Sequence, residues 1–169
     1  MAEPGSELVL PWRPGQRVME WGGGDHPVIR PNLDVRWLKT VDQVVDFSWP
    51  LPMPDGEWDG IFCRFLLEHL SWRKVRVALS EMHRLLKPGG QAVIITANIK
   101  AQAQHLVDTP DDQWSDDLVC EIFGSQDYDG GLWRMNSHYC GFSPAYIERL
   151  LKEAGFWKDT LTYLIFWST

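Results

Sequence analysis

Apolar positions along the chain fall into two patterns, short continuous runs and stripes of helical period. Residues 18–21 form a short apolar run that leads straight into Gly22, Gly23 and Gly24, which predicts a buried strand ending in a tight backbone turn. Further short strands are expected over residues 32–37 and within 41–47. Pro50, Pro52, Pro54, Asp55 and Gly56 then forbid regular structure and make a rigid loop, and residues 61–66 return to a strand. Ser71 is placed to cap a helix whose apolar residues Val75, Ala78, Leu79, Met82, Leu85 and Leu86 make one continuous stripe. Pro88, Gly89 and Gly90 stop it, and residues 91–97 read as a strongly apolar strand. Ser143 and Pro144 open a second helix that carries Ile147, Leu150, Leu151 and Ala154 and ends at Gly155. Residues 160–167 close the chain as a strand.

Two stretches are less regular. Residues 1–15, rich in Pro, Gly and Glu, read as an arm lying on the surface. Residues 99–142 are polar, aromatic and weakly periodic, with one helix expected near 116–123. Strands alternating with helices and short turns point to an α/β domain built on an open, mostly parallel sheet, with helices on both faces. In such sheets ligands bind at the carboxyl ends of the strands, where the loops 22–27, 47–57 and 64–70 land.

The chain has 169 residues, enough for a single domain and one core. A net charge of -7 is the wrong sign for a domain that binds by neutralising phosphates, so nucleic acid is disfavoured and a small-molecule substrate is expected. Cys63, Cys120 and Cys140 suit neither a disulfide framework nor a C-x-x-C site; they read as reduced thiols, and no metal is expected. The sequence shows no leader pattern and no apolar run near the ~20 residues that span a bilayer, so the expected location is cytoplasmic, away from membranes. Ten tryptophans are many for this length, and large amphipathic rings in that number suggest the walls of a cavity.

The glycine cluster is the first candidate for chemistry. A dinucleotide site needs a third glycine and a full helix whose N-terminus holds the pyrophosphate. Only about one turn fits between His26 and Pro31 before the next strand, so a ligand without a pyrophosphate is favoured over a nicotinamide cofactor. Asp34, at the end of the second strand, could accept hydrogen bonds from both hydroxyls of a ribose, and Asp46 could accept from an exocyclic amine of adenine.

Taken in order, Val18-Met-Glu-Trp-Gly-Gly-Gly-Asp25, Asp34, Asp46-Phe47, Leu51-Pro-Met-Pro-Asp-Gly-Glu-Trp-Asp59, Leu67-Glu-His69 and Leu85-Leu-Lys-Pro-Gly-Gly90 resemble the class I S-adenosylmethionine-dependent methyltransferases. The likeness runs from about Arg17 to Phe156 and implies a Rossmann-like fold, S-adenosylmethionine as cofactor, and methyl transfer to an acceptor. It implies that Glu20, Gly22, Gly23 and Gly24 line the methionine end of the cofactor. Asp34 would take the ribose, Asp46 and the Phe47 backbone would meet the adenine, and Arg64 and Phe65 would border cofactor and substrate. The helix after the glycines is almost deleted relative to that family. The family also has a two-strand hairpin after its last helix, where this chain offers one strand, which leaves an open edge and the prospect of a homodimer.

Residues 99–142 are expected to cap the site and supply the acceptor pocket, with Asp127, Tyr128, Trp133 and His138 facing the methyl group. If the acceptor needs a base, His138, His69 and Tyr128 are the candidates. A non-catalytic member of the fold, binding the cofactor or acting as a scaffold, is the alternative reading.

Overall fold

The computed structural model describes residues 9–127, 132–156 and, for the backbone, 162–167. Six strands form a single sheet: β1 (Val18–Trp21), β2 (Asn32–Asp34), β3 (Gln43–Val44), β4 (Trp58–Arg64), β5 (Leu86–Ala97) and β6 (Thr162–Trp167), in the order β3-β2-β1-β4-β5-β6. Every neighbouring pair is parallel. From β1 the chain steps outward through β2 to β3, then returns to the other side of β1 for β4. The direction of winding therefore reverses between β1 and β4, and this is where a crevice opens at the carboxyl ends. The expected α/β class and open parallel sheet are both present.

The helices are α1 (Val75–Leu85), α2 (Ile99–Asp108), α3 (Asp116–Phe123) and α4 (Pro144–Glu153). Strand residues alternate between two faces, as the two-residue period requires. Met19, Trp21, Leu33, Ile61, Cys63, Ala92 and Ile94 gather with Ala78, Leu79, Met82 and Leu85 of α1 and with Ile147, Leu150 and Leu151 of α4 in the main core. Phe62, Val93 and Ile95 form a second cluster, covered by Leu10, Trp12 and Ile29. In the described part of the arm, Leu10 and Trp12 thus pack on the sheet.

Three local readings change. Ser71 does not cap α1: its carbonyl accepts from the Lys74 and Val75 N–H groups, while Lys74 occupies the cap position without a side-chain hydrogen bond. Pro88, Gly89 and Gly90 do not separate helix from strand. β5 already begins at Leu86, which pairs with Trp58, and the glycines loop out before Gln91 pairs with Gly60, a bulge. Helix α2 was not expected. Asn98 caps it by accepting from the Lys100 and Ala101 N–H groups, but Gln102 is its one buried residue among those described, so it offers no apolar stripe to read. By contrast Ser143 caps α4 through the Tyr146 N–H, as expected. No helix among the described residues is long and apolar enough to cross a membrane.

The proline-rich loop is held by one arginine. Arg84 donates to the carbonyls of Leu51 and Met53 and to the carboxylates of Glu81 and Asp55, and Glu81 in turn accepts from the Leu51 N–H at 2.9 Å. Hydrogen bonds from Arg84 hold the Glu81 carboxyl below its usual range against the opposing effect of burial. Arg84→Met is expected to destabilise the fold by about 2 kcal/mol, the scale of hydrogen bonds to a charged group. A carboxyl with a depressed folded pKa contributes stability above its unfolded pKa and loses it as pH falls through the folded value. Urea titrations from neutral pH into the acid range should therefore show a difference between Arg84→Met and the parent that shrinks on acidification; a constant difference would contradict the linkage.

Candidate functional site

The strand β1 ends in a turn that only glycine makes easily. Gly22 and Gly24 have φ of 77° and 54°, and a β-carbon at Gly22 would stand 3.0 Å from that of Leu66. The Gly22 N–H donates to the Leu33 carbonyl at 2.7 Å, Gly23 donates to Asn32 Oδ1 at 3.0 Å, and Gly24 donates to Asp34 Oδ2 at 3.1 Å. The turn is thus tied to β2 at three successive residues.

Residues 26–29, which stand where a helix was expected to be nearly deleted, are braced from below. Glu20 is wholly buried and accepts from the Val28 and Ile29 N–H groups at 2.5 and 2.7 Å and from Arg64 Nε at 3.2 Å. Arg64 also donates to the His26 carbonyl. Glu20 lies behind the wall rather than on it, and Arg64 carries its influence forward to the surface of the crevice.

That crevice is a cavity of about 540 Å³ over the carboxyl ends of β1, β2 and β4. Gly22, Gly23, Gly24, Asp34, Asp46, Phe47, Arg64 and Phe65 all line it. The Phe47 ring is turned away, buried against Trp21 with centroids 4.7 Å apart, so its backbone is what borders the space. Asp46 is exposed and accepts from the Ser48 N–H at 2.8 Å. Asp34 is 5% exposed, and its second oxygen accepts from both the backbone and the Nε of Arg36. Arg36, which also meets Asp25 at 3.7 Å, was not singled out in the sequence, although it follows Asp34 by two residues. Phe65 has a φ of 47°, unusual for a residue with a side chain, and its 41% exposure leaves the ring over the opening.

The far end of the cavity is closed by His69, Leu70, Arg134, Met135 and Asn136. Part of the 99–142 segment therefore reaches the cavity, through residues 134–136 of a 3₁₀ turn. Asp127 is bound instead to Ser125 and Asn136, Trp133 does not line the cavity, and Tyr128 lies outside the described residues. His138 sits behind His69, with ring centroids 5.0 Å apart. His69 Nδ1 is 3.1 Å from the Ser137 carbonyl, and the neighbouring Glu68 carboxylate accepts from the Thr96 hydroxyl at 3.1 Å. Burial pushes the Glu68 carboxyl up to about 7, brings the His69 imidazole down to about 4 and lowers that of His138. Thr96 also escaped the sequence reading; its one signal was a hydroxyl near the end of an apolar strand.

The family model described as Methyltransferase domain matches residues 2–161. The Escherichia coli (strain K12) protein YafE is 31% identical over 68 residues, which are 40% of this chain and 32% of that protein. Among solved structures, a SAM-dependent methyltransferase from Thermotoga maritima superposes with a TM-score of 0.59 at 17% identity, over 86% of this chain and 66% of that one. A SAM-dependent methyltransferase from Archaeoglobus fulgidus superposes with a TM-score of 0.54 at 16% identity, over 85% of this chain and 62% of that one. At these identities the two structures establish the shared fold. The chain spans about a third of the curated relative and less than two thirds of the archaeal structure.

Proposed function

Because the chain belongs to the methyltransferase domain family, we propose that it binds S-adenosylmethionine in the cavity over β1, β2 and β4 and transfers the methyl group to a small-molecule acceptor. The observation that carries this reading is the placement of two carboxylates, Asp34 and Asp46, beside a glycine turn at the point where the sheet reverses its winding. The residues fit the cofactor. The volume lies within the range of small-molecule sites, a side chain at Gly24 would meet the Arg36 guanidinium, and Asp34 sits on the floor with its carboxylate toward the turn.

Asp34 would hold the ribose hydroxyls and Asp46 the adenine, with Gly22, Gly23 and Gly24 allowing the backbone to approach the methionine portion closely. When bound, the cofactor supplies a methyl group on a sulfonium, already a good leaving group. The protein's task is then orientation, which can be worth roughly 7–11 kcal/mol. Phe65, Leu66 and Met135 give the same space apolar walls, and His69, Arg134 and Asn136 give the far end the polar groups that would orient an acceptor.

Calorimetric titration with S-adenosylmethionine, its demethylated product and a nicotinamide dinucleotide tests the cofactor assignment. One molecule of each of the first two should bind per chain and the dinucleotide should not; the reverse pattern would overturn it. Mass spectrometry of metabolite pools incubated with protein and cofactor should then reveal a product heavier by one methyl group. Cofactor binding without any methylated product would favour the scaffold reading.

A further inference from the structure

We propose that Glu68, His69 and His138 hold one divalent transition-metal ion at the far end of the cavity. One ligand atom from each of the three lies within 4.8 Å of the others. Three ligand atoms about 2.0–2.2 Å from a shared tetrahedral ion stand about 3.3–3.6 Å apart, so the side chains complete the site by drawing together by up to about an ångström.

Two of the side chains are held from behind by a neutral group, and the third by its backbone. Thr96 donates to the Glu68 carboxylate at 3.1 Å, the Ser137 carbonyl faces His69 Nδ1 at 3.1 Å, and the His138 N–H donates to the Phe123 carbonyl at 3.0 Å. For His69 this is the support that metal-bound histidines have: a carbonyl on one ring nitrogen sets the tautomer and leaves the lone pair of the other for the ion. The two chain segments that carry the ligands are also stitched together. Tyr139 N–H donates to the Glu68 carbonyl at 2.8 Å, and Cys140 Sγ donates to that of Leu67 at 3.3 Å. Glu68 is 3% exposed and accepts from an uncharged hydroxyl, with no cationic side chain paired to it among the described residues, so a bound cation would have a buried oxygen donor available.

Two imidazoles and one carboxylate suit zinc, cobalt or iron(II) rather than magnesium or calcium, which prefer oxygen donors. Three protein ligands with a position left over is the arrangement of catalytic rather than structural sites. Of the three, His69 alone lines the cavity, so the ion would sit in the cavity wall, within reach of an acceptor held against that ring. The acceptor role rests on the methyl-transfer reading; the metal site does not.

The test is to titrate Co²⁺ alone, without S-adenosylmethionine, into metal-stripped full-length protein, following visible d–d absorption and heat. One ion per chain is expected, with His69→Gln and His138→Gln abolishing the visible spectrum. Thr96→Val, which leaves all three ligands in place, should weaken binding by about 10–100-fold, the scale of losing a group that supports a metal ligand. This variant decides the matter if the histidine variants fail to fold. No uptake by the parent, undiminished uptake in all the variants, a thiolate-to-cobalt charge-transfer band from Cys140, or equally strong binding of Mg²⁺ would each overturn the proposal. The two readings fail separately: protein that binds cobalt but not S-adenosylmethionine keeps the metal site and loses methyl transfer, and the converse result does the opposite.

Discussion

Replacing Asp34 by alanine is expected to weaken S-adenosylmethionine binding by about 10²–10⁴-fold, since two charge-assisted hydrogen bonds at about 1.5–3 kcal/mol each would be lost. A carboxylate that met only a ligand and no core residue would lose far more binding than stability on this change. The structure alters that expectation. The carboxylate accepts from the Gly24 N–H on one oxygen and from the Arg36 N–H and Nε on the other, so alanine also strands a backbone donor in the glycine turn. An unpaired buried donor costs about 1–3 kcal/mol, and part of the effect will appear in urea unfolding. The comparison that matters is between the two losses, with calorimetry on the cofactor showing the larger. Arg36→Met serves as a control, because it leaves the carboxylate and the Gly24 bond in place. A dissociation constant that Asp34→Ala leaves unchanged would remove the ribose assignment.

Arg64→Met should be the most destabilising single substitution at the site, at about 3 kcal/mol. Its partner Glu20 is fully buried while Arg64 itself is 30% exposed. Removing the arginine therefore leaves an anion that cannot reach water, and breaking a buried pair from one side costs about 3–5 kcal/mol. The lower figure applies because Val28 and Ile29 still donate to the carboxylate. In a chain of this size the midpoint of thermal unfolding should fall by roughly 10 °C. Residues 26–29 lose their brace at the same time, so cofactor affinity should fall with stability. Adding Glu20→Gln to Arg64→Met removes the stranded charge and should recover much of the loss in a double-mutant cycle. Additive losses in the cycle would show that the pair is not coupled.

Glu20 shows where the resemblance carried too little physical detail. The motif placed it next to the glycines and so at the methionine end of a ligand, yet its side chain points into the sheet's second face and acts through Arg64 and the 26–29 backbone. Residues at the carboxyl ends of strands were easier to read. Gly22 follows β1 directly, Asp34 and Arg64 end β2 and β4, and Asp46 lies two residues past β3, so locating the strand locates the residue, and all four line one cavity. Arg36 was missed because a cation beside an acid looks like an exposed pair, whereas its guanidinium is only 16% exposed and occupies the acid that a ribose would need.

Local order supplied the rest of what could be read in advance. The stripes of α1 and α4, the Ser143 cap, the apolar strand through 91–97 and the glycine turn depend on residues within a few positions of one another, so their periods survive in the linear text. What needed the tertiary structure were the features made by contacts between distant segments or by polar elements without a stripe: helix α2, the arm packed on Phe62, the bulge that absorbs Pro88 to Gly90, and the meeting of Glu68 and His69 with His138. Side-chain type and spacing determine which face of an element is apolar, and that much is local. Which polar groups then share a buried volume depends on how the faces pack, because a desolvated carboxylate or imidazole takes whichever partner the fold brings within hydrogen-bonding reach.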